Sequence, residues 1–312
     1  MNSFVNYVGA KKVLLPEILP RIPADHQGYI EVFGGGASVL FAKDPEGFEV
    51  YNDFNSDLVN LFLCVRNQPL ALIKALDCLP LNSREEFFLL RDFLERTDTQ
   101  QQYDKQIARE TELAKELFRE ADSKILLEIL SERTELYHVE RAAAFYKLQR
   151  YSYASGGRSF GSQPCNIKDT FEGIKAASRR LQAVIIENQD FERLIKHYDK
   201  EKIFIYCDPP YVEAEGIYKV DFLYENHRRL RDVLAGVKGY FLLSYNDCSY
   251  VRELYHEFYI TPLVRPNPMA QRYQDGDKEY KEVLIANYDM DAVIQKPRQI
   301  SLFQDSTFID SE

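Results

Sequence analysis

The stretch IFIYCDPPYV, residues 203–212, ends an apolar run on an acid, two prolines and a tyrosine. Asp208 should lie at the carboxyl end of a buried strand, which is where α/β sheets bind ligands. Pro209 and Pro210 have fixed φ angles and no N–H, so the carbonyls of Asp208 and Pro209 point in set directions. Tyr211 adds a flat aromatic face. These groups suit a planar heterocycle with an exocyclic NH₂, whose protons meet fixed acceptors while its ring stacks on the tyrosine.

The same acceptors would activate such an amine. Its lone pair is delocalised into the ring, but hydrogen bonds from its protons favour sp³ nitrogen and localise the pair. A methyl sulfonium held in line can then be attacked directly. No covalent enzyme intermediate is needed, and the neighbouring Cys207 should point away from Asp208 because strand residues alternate. The alternative interpretation is a rigid turn without chemistry.

A second candidate site is the glycine turn in YIEVFGGGASVLF, between a predicted strand and a helix-compatible run. Gly34, Gly35 and Gly36 would let the backbone turn tightly and approach a ligand. Asp53 ends the next strand, 18 residues after Gly35, where nucleotide-binding folds place an acid for ribose hydroxyls. The pattern suits the adenosine of NAD or of S-adenosylmethionine, lacks the strict G-x-G-x-x-G order, and also fits a simple tight turn. Asp190, after another strand, can accept from an adenine amino group or cap a helix.

Six short apolar runs should supply the strands that position these residues. They cover residues 29–33, 48–53, 183–188, 202–208, 239–247 and 282–288. They are apolar nearly throughout, as in strands of a parallel sheet that is buried on both faces. Helical patterns lie between several of them, one of them starting at the predicted N-caps Asn55 and Ser56. This alternation predicts a doubly wound, Rossmann-like α/β sheet.

Residues 84–150 interrupt this alternation. They contain no Gly or Pro and carry apolar residues at helical spacing, which predicts a helical insertion between the second and third strands. We therefore divide the chain into a catalytic domain (1–75 and 166–290), an inserted helical domain that ends in a basic loop (76–165), and a C-terminal tail (291–312). The tail is expected to be extended or disordered.

Composition limits the class of protein. Hydrophobic residues make up 45% of the 312 residues and charged residues 28%, which is typical of a soluble globular protein. No apolar run of about 18 residues and no signal-peptide core is present, so we expect no membrane span. The five cysteines are scattered and form no C-x-x-C pair, which argues against a metal site or disulfides and favours the cytoplasm.

Charge is unevenly placed along the chain. The net charge of −10 taken alone argues against a nucleic-acid partner. Residues 84–141 carry ten Lys/Arg and fifteen Asp/Glu, whereas residues 142–182 carry seven and two. A local basic stretch can still bind phosphate, because salt screening makes the local field matter more than the total charge.

The motifs, in this order, resemble those of the DNA N6-adenine methyltransferases of the Dam type (D12 class, alpha-group motif order) over about residues 5–290. NYVGAKK is similar to the family's aromatic-x-Gly-Gly-Lys motif, with Tyr7 and Lys11 in place and Ala10 replacing the second glycine. EVFGGGASV resembles its F-x-G-x-G loop, with Phe33 in place and Ala37 replacing the last glycine. The remaining matches are Asp53 in YNDFNSDL, Asp190 in NQDF, and DPPY at Asp208, Pro209, Pro210 and Tyr211.

The resemblance implies a fold, a cofactor and a reaction. The fold would be a Rossmann-like methyltransferase sheet with a mainly helical inserted target-recognition domain. S-adenosylmethionine would be bound by Tyr7, Lys11, Phe33, Gly34, Gly35, Gly36, Asp53 and Asp190. Its methyl group would go to N6 of an adenine flipped out of double-stranded DNA. Such a protein would be cytoplasmic, of bacterial or phage origin, and would act with or without a partner restriction endonuclease. Its recognition sequence does not follow from these motifs.

Two loops are candidates for DNA contacts. In the first loop, basic side chains would bind phosphates and aromatic side chains would contact bases or sugars. The alternative is a solvated loop. In the second loop, arginines before the last strand would close over DNA or over the substrate; the alternative is a plain hairpin. The candidates are Arg150, Tyr151, Tyr153, Arg158, Phe160 and Lys168 in the first region, and Arg265 and Arg272 in the second.

The tail carries a short motif, QISLF at Gln299, Ile300, Ser301, Leu302 and Phe303. It resembles the peptide with which bacterial proteins dock on the replication sliding clamp, presenting a Gln and a Leu-Phe pair from a flexible tail. The alternative is a tail whose Leu302 and Phe303 pack on its own domain.

Rival functions remain at this point. A related methyltransferase could act on cytosine N4, on RNA adenine or on a glutamine amide; the acid at the start of DPPY favours adenine, and the large insertion favours a polymer. A catalytically silent DNA-binding protein would not need the intact set Tyr7, Lys11, Asp53 and Asp190. An NAD oxidoreductase is disfavoured by the imperfect glycine motif and by DPPY.

Overall fold

A computed structural model describes most of the chain. The described residues are 1–77, 83–95, 108–109, 111–113, 115–117, 119, 138–153, 157, 159–161, 166–212, 222–266 and 279–294. Arg158, Arg272 and the motif at 299–303 lie outside them, and the side chain of Arg265 is likewise not described. The predictions made for these residues therefore stay predictions.

Within the described residues, seven strands form one mixed sheet in the order β3-β2-β1-β4-β5-β7-β6. The strands are β1 (Gly28–Glu31), β2 (Glu49–Asn52), β3 (Val184–Glu187), β4 (Ile203–Cys207), β5 (Tyr240–Asn246), β6 (Tyr259–Pro266) and β7 (Glu279–Ala286). Strands β1 to β5 pair in parallel, whereas β7 is antiparallel to both β5 and β6. The strand order reverses between β1 and β4, where Glu31 is in register with Tyr206. Such a switch point opens a crevice at the carboxyl ends of the strands.

All six predicted strands are present, but the expectation of a parallel sheet is wrong at its last strand, and β6 was not predicted. Strand β6 lies at the sheet edge, exposes Tyr259 and Val264, and contains Pro262 and Pro266, so it lacks the buried apolar run that marks the other strands. Strands β6 and β7 follow each other among the described strands and pair antiparallel, whereas a parallel pair would need a longer crossover connection.

Helices cover both faces of the sheet, as predicted for a doubly wound fold. They are α1 (Leu15–Ile18), α2 (Ser38–Ala42), α3 (Ser56–Asn67), α4 (Pro69–Asp77), α5 (Arg84–Glu95), α6 (138–151), α7 (Phe171–Leu181), α8 (Phe191–Tyr198), α9 (Tyr224–Ala235), α10 (Ser249–Leu254) and α11 (Met290–Ile294). Asn55 caps α3 as predicted, accepting hydrogen bonds from the backbone N–H groups of Asp57 and Leu58. No described helix is both long and apolar enough to span a membrane.

Strand side chains alternate between two cores. In β4, Phe204 and Tyr206 join the core under α3 to α7, while Ile205 and Cys207 join the core under α8 to α10. This alternation follows from the two-residue period of a strand and explains why the strands are apolar throughout.

Helix α6, from the end of the predicted insertion, is part of the first core. Phe145 and Leu148 are fully buried there, and the Tyr146 hydroxyl donates to the carbonyl of Phe4 at 3.2 Å. The final turns of this region therefore pack against the N-terminus of the chain. The division at residues 76 and 165 stays a prediction.

Candidate active site

A cavity of about 330 Å³ lies at the switch point of the sheet. Its volume is within the range of small-molecule and cofactor sites. All eight residues predicted to bind the cofactor line it, together with two residues of DPPY. These lining residues are Tyr7, Lys11, Phe33, Gly34, Gly35, Gly36, Asp53 and Asp190, with Asp208 and Pro210. Segments distant in sequence thus meet at one cavity.

The glycine turn is tight because two of its positions need glycine. A Cβ on Gly34 would lie 2.2 Å from the ring of Tyr51. Gly35 has φ of +49°, in the left-handed region that favours glycine. The Tyr51 hydroxyl donates to the carbonyl of Gly35 at 2.9 Å, which fixes the turn against β2. Ala37, where the family pattern has glycine, also adopts a positive φ, of 54°.

Asp53 ties the end of β2 to the glycine turn. Its Oδ2 accepts from the backbone N–H of Gly35 and its Oδ1 from that of Asn55, both at 2.8 Å. Burial raises the pKa of Asp53, and these backbone hydrogen bonds oppose the rise. The carboxylate is therefore held rigidly at the cavity wall, where a ligand hydroxyl can reach its remaining lone pairs.

Asp190 is both a helix cap and a cavity residue. Its Oδ1 accepts from the backbone N–H of Glu192 at 3.0 Å, which makes it the N-cap of α8, the alternative considered from sequence. The same oxygen accepts from Nη2 of Arg229 at 3.1 Å. The guanidinium of Arg229 also lies over the ring of Phe191, 4.9 Å from its centroid.

Three aromatic rings enclose this end of the cavity. The centroids of Phe33 and Phe191 are 5.6 Å apart, those of Phe33 and Phe222 5.6 Å, and those of Phe191 and Phe222 5.7 Å. Asn226 and Arg229 of α9 line the same end. Phe222, Asn226 and Arg229 were not predicted, because nothing local in the sequence shows that α9 turns back toward the cavity.

Asp208 is held at the opposite end by side chains. Its Oδ1 accepts from Nζ of Lys11 at 2.8 Å and from Oγ of Ser244 at 2.9 Å. Lys11 also donates to the carbonyl of Gly9 at 2.9 Å, and its Nζ lies 4.8 Å from the ring centroid of Tyr211. Burial raises the pKa of Asp208, while the charge and hydrogen bond of Lys11, and then Ser244, oppose the rise. The structure thus brings Lys11, predicted for the cofactor, onto the DPPY segment.

The rest of DPPY is fixed by strands β5 and β7. The Tyr211 hydroxyl donates to Oε1 of Glu282 at 3.0 Å. Asn246 accepts from the backbone N–H of Val212 at 3.2 Å and donates to its carbonyl at 3.1 Å. Pro209 and Tyr211 are not among the described residues that line the cavity.

Two further groups beside Asp208 bear on its chemistry. Glu31 accepts from the Tyr29 hydroxyl at 2.7 Å and from the backbone N–H of Leu40 at 2.8 Å, yet burial raises its pKa to about 8. Burial and the charge of Asp208 raise the pKa of the Cys207 thiol. A thiol of that kind is a poor nucleophile, which agrees with the absence of Cys207 from the predicted chemistry.

Sequence reasoning missed Glu31, Ser244, Asn246 and Glu282. Each is a polar residue inside or directly beside the apolar run of a strand, and all but Asn246 are no more than 2% exposed. A polar residue in such a position was the available signal, because buried polar groups need partners and so mark sites.

The predicted DNA contacts are dispersed. Tyr153 is 50% exposed, whereas Tyr151 is 3% exposed and packs in the core, so Tyr151 is less accessible to DNA than Tyr153. The backbone N–H of Tyr153 donates to the carbonyl of Ser159 at 2.8 Å. Arg150 lies on α6, and the ring of Phe160 packs 5.8 Å from that of Phe87.

The basic stretch 142–182 is less positive at the surface than its sequence suggests. Lys147 is buried, and Arg180 pairs with the buried Glu49 at 2.5 Å. Lys168 is exposed but pairs with Asp77 at 2.8 Å. Side-chain pairing therefore removes much of the counted excess, which a count along the sequence does not reveal.

Comparisons with known proteins bear on this site. A family model described as D12 class N6 adenine-specific DNA methyltransferase matches residues 7–265. The type II methyltransferase M1.LlaDCHI of Lactococcus lactis subsp. cremoris is 27% identical over 308 residues, which cover 92% of this chain and 96% of that protein. The type II methyltransferase M.CviBI of Paramecium bursaria Chlorella virus NC1A is 24% identical over 266 residues, 82% of this chain and 86% of that protein.

The match to the family model includes the glycine turn, Asp53, Asp190 and DPPY, and it confirms the resemblance drawn from these motifs. The two relatives align with 92% and 82% of this chain. An NAD oxidoreductase is thereby excluded. The protein belongs to the D12 class N6 adenine-specific DNA methyltransferases.

Proposed function

We propose that the protein transfers a methyl group from S-adenosylmethionine to N6 of an adenine that is flipped out of double-stranded DNA. One observation carries the proposal: a single cavity joins the glycine turn, Asp53 and Asp190 with Asp208 and Pro210. A methyl donor and an amine acceptor need such a shared space, because direct transfer requires the reacting atoms to be in contact.

The cavity suits the cofactor. Asp53 offers acceptors to ribose hydroxyls, and Asp190 offers one to an adenine amino group. The three phenylalanine rings suit the faces of a purine. Oγ of Ser38 lines the cavity and, within the described residues, is buried without a hydrogen-bond partner, as expected of a group that binds a ligand. When bound, S-adenosylmethionine supplies a methyl group on a positively charged sulfur.

The DPPY end suits the amine. Asp208 must be ionised to accept an amino proton, and the Lys11 ammonium favours that form. The carbonyl of Pro209 is the second fixed acceptor. The amine nitrogen would form a bond to the methyl carbon as the bond between that carbon and the sulfonium sulfur breaks, which would leave a neutral thioether, and the nitrogen would give up one proton. The partly buried carboxylate of Asp208 is suited both to stabilise the positive charge that develops on nitrogen and to hold that proton.

DNA must present the adenine outside the duplex, because the edge of a paired base cannot reach the end of a cavity. Flipping costs a few kcal/mol, and stacking on Tyr211 with hydrogen bonds to Asp208 would offset that cost. We assign phosphate or base contacts to Arg150, Tyr153, Arg158, Arg265 and Arg272, but not to the buried Tyr151. Lys168 would have to exchange Asp77 for a phosphate. The region 76–165 would provide target recognition.

The role in the cell follows from the relatives. Two of them are named type II methyltransferases, which supports a modification role beside a restriction endonuclease.

Tritiated S-adenosylmethionine and genomic DNA without N6-methyladenine test the proposal. We expect label in N6-methyladenosine after digestion of the DNA to nucleosides. Asp208→Ala should reduce it at least about a hundredfold, because the main acceptor is lost. Asp44→Ala, at an exposed aspartate remote from the cavity, serves as the control. Label in cytosine or no label with wild type would refute the function, and full activity of Asp208→Ala would refute the mechanism.

A further inference from the structure

Two side chains from β5 and β7 hold the segment that follows β4. Asn246 and Glu282 are opposite each other in the register of these antiparallel strands. Asn246 binds both backbone polar groups of Val212, much as a paired strand would. Glu282 binds the hydroxyl of Tyr211. The two contacts fix adjacent residues of the catalytic segment, one by its backbone and one by its side chain.

Glu282 is an unusual residue at its position. It is the first buried residue of β7, follows three exposed residues and precedes the apolar residues 283–286. It is 2% exposed, and burying a carboxylate is unfavourable unless it is well hydrogen-bonded. An apolar side chain would serve packing at lower cost, so the acid points to a requirement other than stability.

The ring of Tyr211 is restrained on several sides. Its hydroxyl binds Glu282, the ring of Tyr245 lies 5.8 Å away at an interplanar angle of 36°, and the Lys11 ammonium lies above it. A ring restrained in this way presents a stacking face of set orientation. A base that stacks there would place its amino group at a fixed height relative to Asp208.

We propose that Glu282 is a positioning residue for methyl transfer, which orients Tyr211 through its hydroxyl while Asn246 orients the backbone of Val212. This inference rests on the proposed function. It assigns Glu282 to the transfer step and not to cofactor binding, because Glu282 binds the hydroxyl of Tyr211 and is not among the described residues that line the cavity.

Kinetics of four variants test the inference, using genomic DNA at saturating concentration. Glu282→Ala should lower kcat about tenfold, because small displacements of reacting groups are costly, and should leave KM for S-adenosylmethionine unchanged. Tyr211→Phe removes the other half of the hydrogen bond and should lower kcat by a similar factor. The double variant should be no slower than either single one. Glu282→Gln keeps an acceptor oxygen and should recover most of the rate.

The chain offers a matched control. Tyr198 donates to Glu187 at 2.6 Å in a chemically identical pair that is remote from DPPY, so Tyr198→Phe should keep the wild-type kcat. The inference would be overturned if Glu282→Ala or Tyr211→Phe kept the wild-type kcat. It would also be overturned if the loss of kcat in the double variant equalled the product of the two single losses. A Glu282→Gln protein as slow as Glu282→Ala would overturn it too, because an acceptor oxygen at this position would then not be what orients Tyr211. Thermal unfolding measurements check that each variant is folded. If Glu282→Ala does not fold, the kcat values of Tyr211→Phe and Glu282→Gln test the inference. Absence of transfer by wild type would instead refute the proposed function.

Discussion

Two partly buried aspartates line the same cavity, and the fold holds them in different ways. Asp53 is bound by the backbone N–H groups of Gly35 and Asn55, whereas Asp208 is bound by the side chains of Lys11 and Ser244. Burial raises the pKa of both. Backbone donors cannot leave without unfolding the turn, but side-chain donors can rotate away. The difference suits a fixed binding group in Asp53 and an acceptor in Asp208 whose partners can be exchanged for substrate protons.

Replacing each aspartate by asparagine is the strongest test of this difference. Asp53→Asn should raise KM for S-adenosylmethionine roughly ten- to a hundredfold with a smaller effect on kcat, because a charged hydrogen bond is worth about 1.5–3 kcal/mol. Asp208→Asn should show the opposite division, with kcat reduced and KM nearly unchanged. Steady-state kinetics on genomic DNA measures both constants. If both variants changed the same kinetic constant, KM or kcat, the two aspartates would not have separate roles.

Removing the cation beside Asp208 should change the pH dependence of the rate. Lys11 lowers the pKa of Asp208, so in Lys11→Gln that pKa should rise and the ionised fraction at a given pH should fall. We therefore expect the acidic limb of the kcat profile to move to higher pH, with less activity than wild type on that limb. Lys12→Gln, at the exposed neighbouring lysine, should leave the limb in place. An unmoved limb in Lys11→Gln would contradict the ion pair as a control on catalysis.

Glu31 is a third carboxylate at the cavity, and burial is the largest cause of its raised pKa. Its pKa rises from 4.5 to about 8 on folding, so between these pH values the folded protein keeps a proton that the unfolded chain loses. Protonated Glu31 therefore stabilises the folded protein at low pH. This stabilisation, about a few kcal/mol at most, is lost as pH rises from 4.5 to about 8. Glu31→Gln should flatten the decline in the free energy of unfolding between pH 5 and pH 8 in urea titrations. Glu201→Gln, at an exposed site, should keep the wild-type slope; an equal slope in Glu31→Gln would contradict the raised pKa.

Arg229 should have the smallest effect. Its ion pair with Asp190 is partly exposed, and such pairs contribute at most about 1 kcal/mol. Arg229→Ala should raise KM for S-adenosylmethionine a few-fold and leave kcat unchanged. Arg228→Ala, at the exposed neighbouring arginine, is the control. A reduced kcat would mean that Arg229 acts on the transfer step and not on the cofactor.

Much of the fold could be predicted because buried strands differ in composition from their surroundings. Runs such as 203–207 are apolar throughout, whereas β6 is exposed on an edge and carries two prolines, so local sequence does not distinguish it from a loop. The cavity residues were predicted from motifs at strand ends, where topology brings them together. The contact of Tyr211 with Glu282 joins residues 71 positions apart. It depends on antiparallel pairing of β5 and β7, which the apolar pattern does not specify.

The position of β7 between β5 and β6 has a consequence for protein synthesis. Every residue predicted to bind the cofactor, and the DPPY segment itself, leaves the ribosome before Glu282. The growing chain therefore contains the cofactor site before it contains the anchor of Tyr211. Strand β7 must then pair on both of its edges before the catalytic segment is held. The hydrogen bond that holds Tyr211 can therefore form only after all the described residues that line the cavity have been synthesised.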